Sequence, residues 1–173
     1  MKRITKKQKI EFLRESNAIE GVYDDVSLHQ AEIAFDYLLK QKTMSTGVVL
    51  KLHKILMLHQ NLQPNEKGYF RKCAVWIGGR EGMNWVKIPE AMVAWVKLVN
   101  ATLKVFPVDG TSRQMVLEAK FQHVEYERIH PFVDGNGRTG RMLLNWTLAR
   151  AGLPIVTIRA GGQEQQDYYK WFK

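Results

Sequence analysis

The segment from His130 to Arg141 constrains this chain most, because it places three glycines in twelve positions between two stretches of helical pattern. Upstream, residues 116–126 repeat at helical spacing, and downstream a helical run ends before Gly152 and Pro154. Glycine takes positive φ without strain, so the segment can turn sharply and bring its backbone close to a ligand. The sequence therefore predicts a tight loop that opens a helix.

Most of the remaining chain also has the periodicity and punctuation of helices. Gly21 ends the first predicted helix, Ser27 is the predicted N-cap of the second, and Pro89 begins the fourth. The predicted helices cover residues 6–19, 27–42, 48–61, 89–106, 112–129, 138–150 and 167–173, with Thr111 or Ser112 as the cap of the fifth.

One part of the chain has the pattern of strands instead. Two short runs rich in β-branched and aromatic residues, 74–77 and 84–88, flank the glycine-rich stretch 78–82 and predict a hairpin. No repeat, linker or low-complexity tract divides the chain. Residues 1–173 are therefore expected to form one domain of all-α class, a helical bundle with a small β-hairpin.

Composition narrows the functional classes. The chain has 26 Lys and Arg against 17 Asp and Glu, a formal net charge of +9, and one cysteine, Cys73. No apolar run approaches the ~20 residues of a membrane-spanning helix, and a lone cysteine is typical of a reducing cytoplasm. The positive surplus leaves nucleic acid, an acidic partner or an anionic nucleotide open as ligands.

The loop combines groups that suit phosphate chemistry. Free N–H groups at a helix N-terminus bind phosphate oxygens, and Arg138 and Arg141 add guanidinium groups that bind phosphate in a bidentate manner. Asp134 would repel phosphate unless a hard cation such as Mg²⁺ lay between them. His130 can accept a proton near neutral pH. This inventory favours transfer of a nucleotide's phosphorus centre to a hydroxyl.

Other interpretations of these residues are weaker. Residues 135–140 match the dinucleotide pattern G-x-G-x-x-G, but a helical stretch precedes them where that fold needs a strand. A helix would separate His123 from His130 by ~10.5 Å, too far to chelate one zinc ion. His53 and His59 are expected at the core edge or the surface. A nucleic-acid-binding module is the alternative from another class, although no helix-turn-helix pattern is evident.

Residues 130–141 read His-Pro-Phe-x-Asp-Gly-Asn-Gly-Arg-x-x-Arg and resemble the signature of Fic-domain proteins at every defined position. The resemblance extends to the upstream helix, the segment 68–71, the hairpin and the helix that ends near Gly152. It implies the Fic fold and protein AMPylation, which transfers AMP from ATP to a hydroxyl side chain of a target protein.

The resemblance also implies a role for each residue of the loop. His130 would be the general base, and Asp134 would hold Mg²⁺ on the phosphates of ATP. The anion hole would consist of Gly135, Asn136 and Gly137, and the outer phosphates would be bound by Arg138 and Arg141. The segment 73–88 corresponds to the family's target-docking flap, with docking residues Trp76, Ile77, Gly78, Gly79, Asn84, Trp85 and Val86.

A second resemblance lies near the N-terminus, in segment 1–21. Ser16, Glu20 and Gly21 match the family's inhibitory pattern Ser/Thr-x-x-x-Glu-Gly/Asn. Residues four apart share a helix face, and in relatives this glutamate pairs with the arginine that corresponds to Arg141. Because a carboxylate competes with phosphate for one guanidinium, the pattern implies intramolecular inhibition.

Several questions stay open at the level of sequence. The same site could remove AMP from a target or transfer another nucleotide or phosphate moiety. Glycine at both 135 and 137 favours AMP transfer over the phosphorylating branch of the family, which resembles this motif but differs at both positions. The target protein is unidentified, the chain itself is a possible target, and self-association remains open.

Overall fold

The structure is a computed structural model that describes residues 4–105 and 112–173. The described α-helices are α1 (Lys6–Ile19), α2 (Asp25–Leu39), α3 (Thr46–Leu56), α4 (Ile88–Val105), α5 (Ser112–Ile129), α6 (Asn136–Arg150) and α7 (Gln163–Tyr169). The described strands are β1 (Trp76–Ile77) and β2 (Arg80–Glu81), and short 3-10 turns cover Trp85–Lys87 and Lys170–Phe172.

Helix α6 lies at the centre of the bundle. It contacts α1, α2, α3, α4 and α5, and from Asn136 to Ala149 every residue except Gly137 is buried. A helix that is buried on all sides is enclosed by its neighbours rather than lying on the surface. Trp146 is fully buried and donates its indole N–H to the carbonyl of Gln41 at 3.2 Å. The helix that follows the loop at 130–135 is therefore also the main core element.

The ends of the first three helices follow from side-chain caps. Thr5 and Gln8 form a capping box at the start of α1. The prediction of Ser27 as the N-cap of α2 is wrong, because the Asp24 carboxylate accepts the N–H of Ser27 at 2.8 Å and is the cap itself. Helix α2 consequently begins two residues earlier than predicted and ends at Leu39 rather than 42. Helix α3 also ends early, at Leu56 rather than near 61.

The hairpin is shorter than its sequence pattern suggested. Trp76 pairs with Glu81 and Ile77 with Arg80, around a turn in which Gly78 and Gly79 both have positive φ. The second predicted strand, 84–88, is wrong. The Asn84 side chain accepts the N–H of Val86 at 3.0 Å and starts a 3-10 turn that continues into α4. The cap therefore overrides the β-propensity of the residues that follow it.

The starts of the last two helices also shift. Helix α6 starts at Asn136, two residues before the predicted start, and the last helix starts at Gln163 rather than 167. Phe106, the predicted end of the fourth helix, and Thr111, one of the two predicted caps of the fifth, lie outside the described residues. Within residues 4–105 and 112–173, no helix combines the length and the apolar character that crossing a bilayer demands.

Candidate active site

His130 lies directly after α5 in an unusual backbone conformation. Its φ is +48°, the one positive φ of a non-glycine residue in the described part of the chain. Its N–H donates to the carbonyl of Tyr126 at 3.0 Å, and its own carbonyl accepts from Nε of Arg71 at 2.8 Å. Both backbone groups of His130 are thus held, and the strained conformation is fixed by its surroundings.

Arg71 joins the catalytic loop to the hairpin. Besides the carbonyl of His130, its guanidinium donates to the carbonyls of Cys73 at 2.7 Å and Met83 at 2.6 Å. Its backbone N–H donates to the carbonyl of Pro131 at 2.9 Å. The side chain is buried, and burial lowers the pKa of this guanidinium from its usual range. Sequence reasoning assigned Arg71 no role, because its partners are backbone carbonyls distant in the chain.

The side-chain amide of Asn136 hydrogen-bonds across the middle of the loop. Asn136 Oδ1 accepts the N–H of Phe132, and Asn136 Nδ2 donates to the carbonyl of Phe132, both at 2.9 Å. The Phe132 ring stacks on His53 with a centroid separation of 3.6 Å. Since both ends of the Asn136 amide are engaged, it is the backbone N–H of Asn136 that remains for an anion.

His53 supports the loop from α3. Nδ1 accepts the N–H of Gly68 at 3.0 Å, so the proton is on Nε2, which donates to the carbonyl of Asp134 at 2.9 Å. Burial lowers the pKa of His53 to about 4, so the ring is neutral at pH 7. The expected place at the core edge or surface is wrong for His53, which is fully buried. Its contacts come from segments far apart in sequence, which spacing alone does not reveal.

The N-terminus of α6 is shaped for close approach by an anion. Gly135 is the N-cap with φ +77°, and no side chain caps the helix. A methyl group at Gly135 would meet Met57 Sδ at 2.6 Å, and one at Gly137 would collide with Glu20 Oε1. The backbone N–H groups and the positive end of the helix dipole therefore face a space that the Glu20 carboxylate borders.

Arg138 is buried with much of its hydrogen-bonding capacity unused. Nη2 lies 3.2 Å from Met57 Sδ, whereas Nε and Nη1 are buried and have no hydrogen-bond partner among the described residues. Burial lowers the pKa of Arg138 from its usual range. A buried cation with unpartnered donors is costly unless it binds an anion. This side chain is therefore suited to phosphate.

Arg141 is also buried, but its donors are engaged. Nε donates to Ser16 Oγ at 2.9 Å, and Nη2 donates to the Ser16 carbonyl and to Glu20 Oε1, both at 2.8 Å. Nη1 lies 3.4 Å from the hydroxyl of Tyr168. The structure thus brings Ser16 and Glu20, at the C-terminal end of α1, together with the second arginine of the loop. Gly21 follows with φ +70° and turns the chain away.

Two residues near these arginines were missed by sequence reasoning. Tyr168 on α7 contacts Arg141 and also lies 2.9 Å from Nε2 of His123. Glu127 on α5 is a carboxylate with a 12% exposed side chain, and its Oε2 lies 3.7 Å from Nδ1 of His130. Burial raises the pKa of Glu127 to about 8, although Arg141 opposes the rise. The i, i+3 spacing of Glu127 and His130 was a usable signal, whereas nothing in the sequence linked Tyr168 to the loop.

Asp134 is the exposed carboxylate at the mouth of the loop. Its Oδ1 accepts the N–H of Gly135 at 2.6 Å. Across residues 4–105 and 112–173, no cluster of three or more His, Cys, Asp or Glu side chains could hold a metal ion by itself. A single carboxylate beside an anion site fits Mg²⁺, which commonly takes one or two carboxylates and completes its shell with phosphate and water oxygens.

The flap presents apolar side chains next to the loop. Trp76 is 72% exposed and Val86 is 64% exposed, and Trp85 is also exposed. Trp76 lies on β1, whereas Trp85 and Val86 lie on the 3-10 turn before α4. Large exposed apolar side chains of this kind are suited to contact with another chain. The Arg71 contacts with Cys73 and Met83 place the base of this flap against the loop that carries His130.

Comparison with known proteins identifies the family of the chain. Residues 43–148 match the sequence model of the Fic/DOC family. The chain is 34% identical over 125 residues to the protein adenylyltransferase Fic of Drosophila persimilis, a match that covers 72% of this chain and 23% of that protein. The chain thus spans about a quarter of the length of the curated relatives it matches.

Solved structures share the fold. A Fic domain containing signaling protein from Bacteroides thetaiotaomicron superposes with a TM-score of 0.76 at 20% identity, over 95% of this chain and 70% of that one. A fragment of Fic-1 from C. elegans superposes with a TM-score of 0.68 at 22% identity, over 97% and 55% of the two chains. The predicted helical fold with a small hairpin is confirmed.

Proposed function

The chain belongs to the Fic/DOC family, and we propose that it transfers AMP from ATP to a hydroxyl side chain of a target protein, under restraint by Glu20. One observation carries the proposal. The buried Arg138, with unpartnered Nε and Nη1, lies on the first turn of a helix whose N-terminus no side chain caps. Those features suit a polyphosphate, and the loop that precedes them carries His130.

Phosphate binding follows from the charges of α6. The N–H groups of residues 136–138 and the helix dipole would bind the oxygens of the inner phosphates, and Arg138 would bind those further out. Arg141 is the second guanidinium of the same helix, one turn later. Mg²⁺, held by Asp134 and by phosphate oxygens, would neutralise charge on the phosphates and on the leaving group.

The transfer itself is an in-line displacement. The hydroxyl oxygen of the target attacks the α-phosphorus of ATP, and a new O–P bond forms as the bond from that phosphorus to the bridging oxygen of the β-phosphate breaks. Pyrophosphate leaves, and the hydroxyl proton passes to the imidazole of His130. Burial lowers the pKa of His130 below its usual value, so the ring is neutral and able to accept that proton.

Restraint follows from the position of the Glu20 carboxylate. It accepts from Nη2 of Arg141 at 2.8 Å and borders Gly137 at the start of α6. An outer phosphate would need the same guanidinium, and a carboxylate next to phosphates adds repulsion. In this arrangement ATP binds with its outer phosphate misplaced, or has to displace Glu20.

The target would dock on the flap. Strand β1 pairs with β2 and with no other described strand, so an extended peptide segment of the target could pair beside it. The exposed Trp76 and Val86 would then contact side chains of that segment. The Arg71 contacts would keep such a segment next to His130. The chain itself is one possible target, because a hydroxyl needs only to reach the α-phosphorus.

The test uses ATP labelled at the α-phosphate, Mg²⁺ and a lysate as the source of targets. Glu20→Gly should incorporate label strongly, Glu20→Gln to an intermediate extent because the amide retains size without charge, and wild type weakly. Glu11→Gln changes an exposed carboxylate on the same helix and should behave as wild type. The variant with both Glu20→Gly and His130→Ala should incorporate no label. Equal labelling with and without His130 would contradict the transferase assignment, and equal labelling by wild type and Glu20→Gly would contradict the restraint.

A further inference from the structure

Glu127 is a largely enclosed carboxylate, with a 12% exposed side chain, that the transfer described above leaves without a role. It lies on α5 one turn before His130, and its Oε2 is 3.7 Å from Nδ1 of that histidine. We infer that Glu127 is a positioning residue, which holds the imidazole with Nδ1 turned inward and Nε2 turned toward the hydroxyl of the target. The inference rests on the proposed function, because it concerns how His130 accepts the proton.

The orientation of the imidazole supports this role. Nδ1 of His130 is buried and has no hydrogen-bond partner among the described residues, although the backbone carbonyl of Glu127 lies close enough to raise the pKa of the imidazole. The side chain is 22% exposed, so solvent reaches the rest of the ring, which includes Nε2. The backbone of His130 is fixed through Tyr126 and Arg71, and the ring can therefore reorient only about its own side-chain bonds. A separation of 3.7 Å is longer than a hydrogen bond, as catalytic contacts often are before substrate binds.

The surroundings of Glu127 leave room for a carboxylate. A methyl group at Gly140 would collide with Oε1 of Glu127 and would lie 2.9 Å from Cδ1 of Tyr126. Oε1 is itself buried and has no hydrogen-bond partner among the described residues. Gly140 thus allows α5 and the carboxylate of Glu127 to approach α6 closely.

Charges around Glu127 couple it to the restraint. The pKa of Glu127 is raised to about 8. Burial is the main cause, the positive charge of Arg141 opposes the rise, and the carboxylate of Glu20 contributes to it. Loss of Glu20 should therefore increase the ionised fraction of Glu127 near neutral pH. The titratable and charged groups that face Glu127 are Glu20, His123, Tyr126, His130, Arg141 and Tyr168.

Ionisation of Glu127 has a direct consequence for His130. An ionised carboxylate accepts a hydrogen bond from Nδ1–H and so favours the tautomer with the proton on Nδ1. In that tautomer Nε2 is unprotonated and able to take the hydroxyl proton. The same charge stabilises the imidazolium that forms. Glu20 would then restrain the enzyme in two ways, through the phosphate contacts of Arg141 and through the protonation of Glu127.

The kinetic test compares variants in the Glu20→Gly background. Glu127→Gln retains shape and removes charge, and Glu125→Gln is the matched control, because Glu125 is a surface carboxylate on α5 that pairs with Arg128. We expect Glu127→Gln to lower kcat by about tenfold or more without raising KM for ATP, and to move the acidic limb of the pH profile to lower pH. The control should match the Glu20→Gly parent in all three.

A spectroscopic test does not depend on turnover. The ¹⁵N shifts of the histidine rings distinguish the Nδ1–H tautomer from the Nε2–H tautomer, and comparison with His130→Asn identifies the signals of His130. In Glu20→Gly above pH 8 we expect Nδ1–H to predominate, and Glu127→Gln to shift the population toward Nε2–H.

The outcomes separate the two proposals. Failure of Glu20→Gly to incorporate AMP would overturn the proposed function, while the tautomer measurement would still report on Glu127. If the Glu20→Gly parent is active, an unchanged kcat, pH profile and tautomer population in Glu127→Gln would overturn the role of Glu127 alone. A fall in kcat with no change in tautomer or pH profile would also overturn it, since it would indicate a structural effect.

Discussion

The carboxylate of Glu20 contacts Arg141 at 2.8 Å and also borders Gly137, so one side chain lies against both the second arginine of the loop and the N-terminus of α6. The Arg141 side chain is 3% exposed and that of Glu20 is 40% exposed. The arginine is thus fixed in the core, and the glutamate reaches it from the surface end of α1. An ion pair with one solvent-accessible partner can open without unpacking the core.

Gly137→Ala should weaken the contact of Glu20 with Arg141 without opening the proposed phosphate site to ATP. A methyl group there would collide with Glu20 Oε1 and lie 3.0 Å from Nη1 of Arg141. The ion pair between Glu20 and Arg141 should weaken, but the methyl group would occupy the space proposed for phosphate. The variant should therefore neither bind ATP tightly nor incorporate label. Calorimetric titration with ATP and Mg²⁺ measures this. Gly47→Ala, in α3 where a methyl meets only an ordinary contact, is the control, and tight ATP binding by Gly137→Ala would contradict the expectation.

Tyr168→Phe should destabilise the fold, because it removes a hydroxyl that contacts both Arg141 and His123. The hydroxyl lies 3.4 Å from Nη1 of Arg141 and 2.9 Å from Nε2 of His123, and its loss leaves the buried imidazole without that partner. We expect the free energy of unfolding to fall by about 1–2 kcal/mol. Denaturant titration checks it. Tyr169→Phe removes an exposed hydroxyl that accepts from Gln165 and should leave stability unchanged, so equal effects of the two variants would refute the role of Tyr168.

His53 should make folding stability depend on pH on the acid side. Its pKa in the fold is about 4, below the ordinary 6.5, so the unfolded chain takes up a proton first as the pH falls. The stability that neutral His53 contributes is therefore full above pH 6.5 and is lost as the pH falls through 4. His123, with its pKa lowered by burial to about 3, acts in the same direction.

The measurement is the free energy of unfolding of His53→Asn from pH 7.5 to 4. At pH 7.5 we expect a loss of about 2–4 kcal/mol, because the N–H of Gly68 and the carbonyl of Asp134 lose a well-placed partner. Below pH 6.5 the variant should depend on pH less steeply than wild type. The exposed His29, changed to Asn, provides the control, and parallel pH curves for wild type and His53→Asn would disprove the assignment.

Removal of the cation should abolish transfer and leave the fold intact. Excess EDTA should eliminate labelling by Glu20→Gly, and added Mg²⁺ should restore it. Asp134→Ala should raise the Mg²⁺ concentration needed for half-maximal labelling, since Asp134 is the exposed carboxylate beside the phosphate site. Thermal unfolding should show little change, and a metal requirement identical to that of the parent would rule out Asp134 as the ligand.

Sequence reasoning succeeded where the signal was local. A helical pattern followed by a glycine depends on neighbours within a few positions, so α1, with its pattern over 6–19 and Gly21 beyond it, was predicted with its observed ends. It was wrong where two local signals competed. Asp24 lies three residues before Ser27 and its carboxylate is the stronger acceptor, and Asn84 caps a turn within a β-rich run.

The supporting residues of the site depended on tertiary contact. Arg71 donates to backbone carbonyls, which every residue has, and His53 meets Gly68 and Asp134 only because α3 packs beside the loop. No pattern in the chain singles out such partners. Motif residues could be identified from sequence, whereas the residues that hold them in place required coordinates.

The burial of α6 has a consequence for how such a domain can diversify. The helix that supplies Arg138 and Arg141 is also the main core element, so a substitution that changes its chemistry also changes what its five neighbouring helices pack against. The flap and the surface end of α1 are under no such double constraint. New targets and new thresholds of activation should therefore arise through mutations in those two regions, while the reaction stays the same.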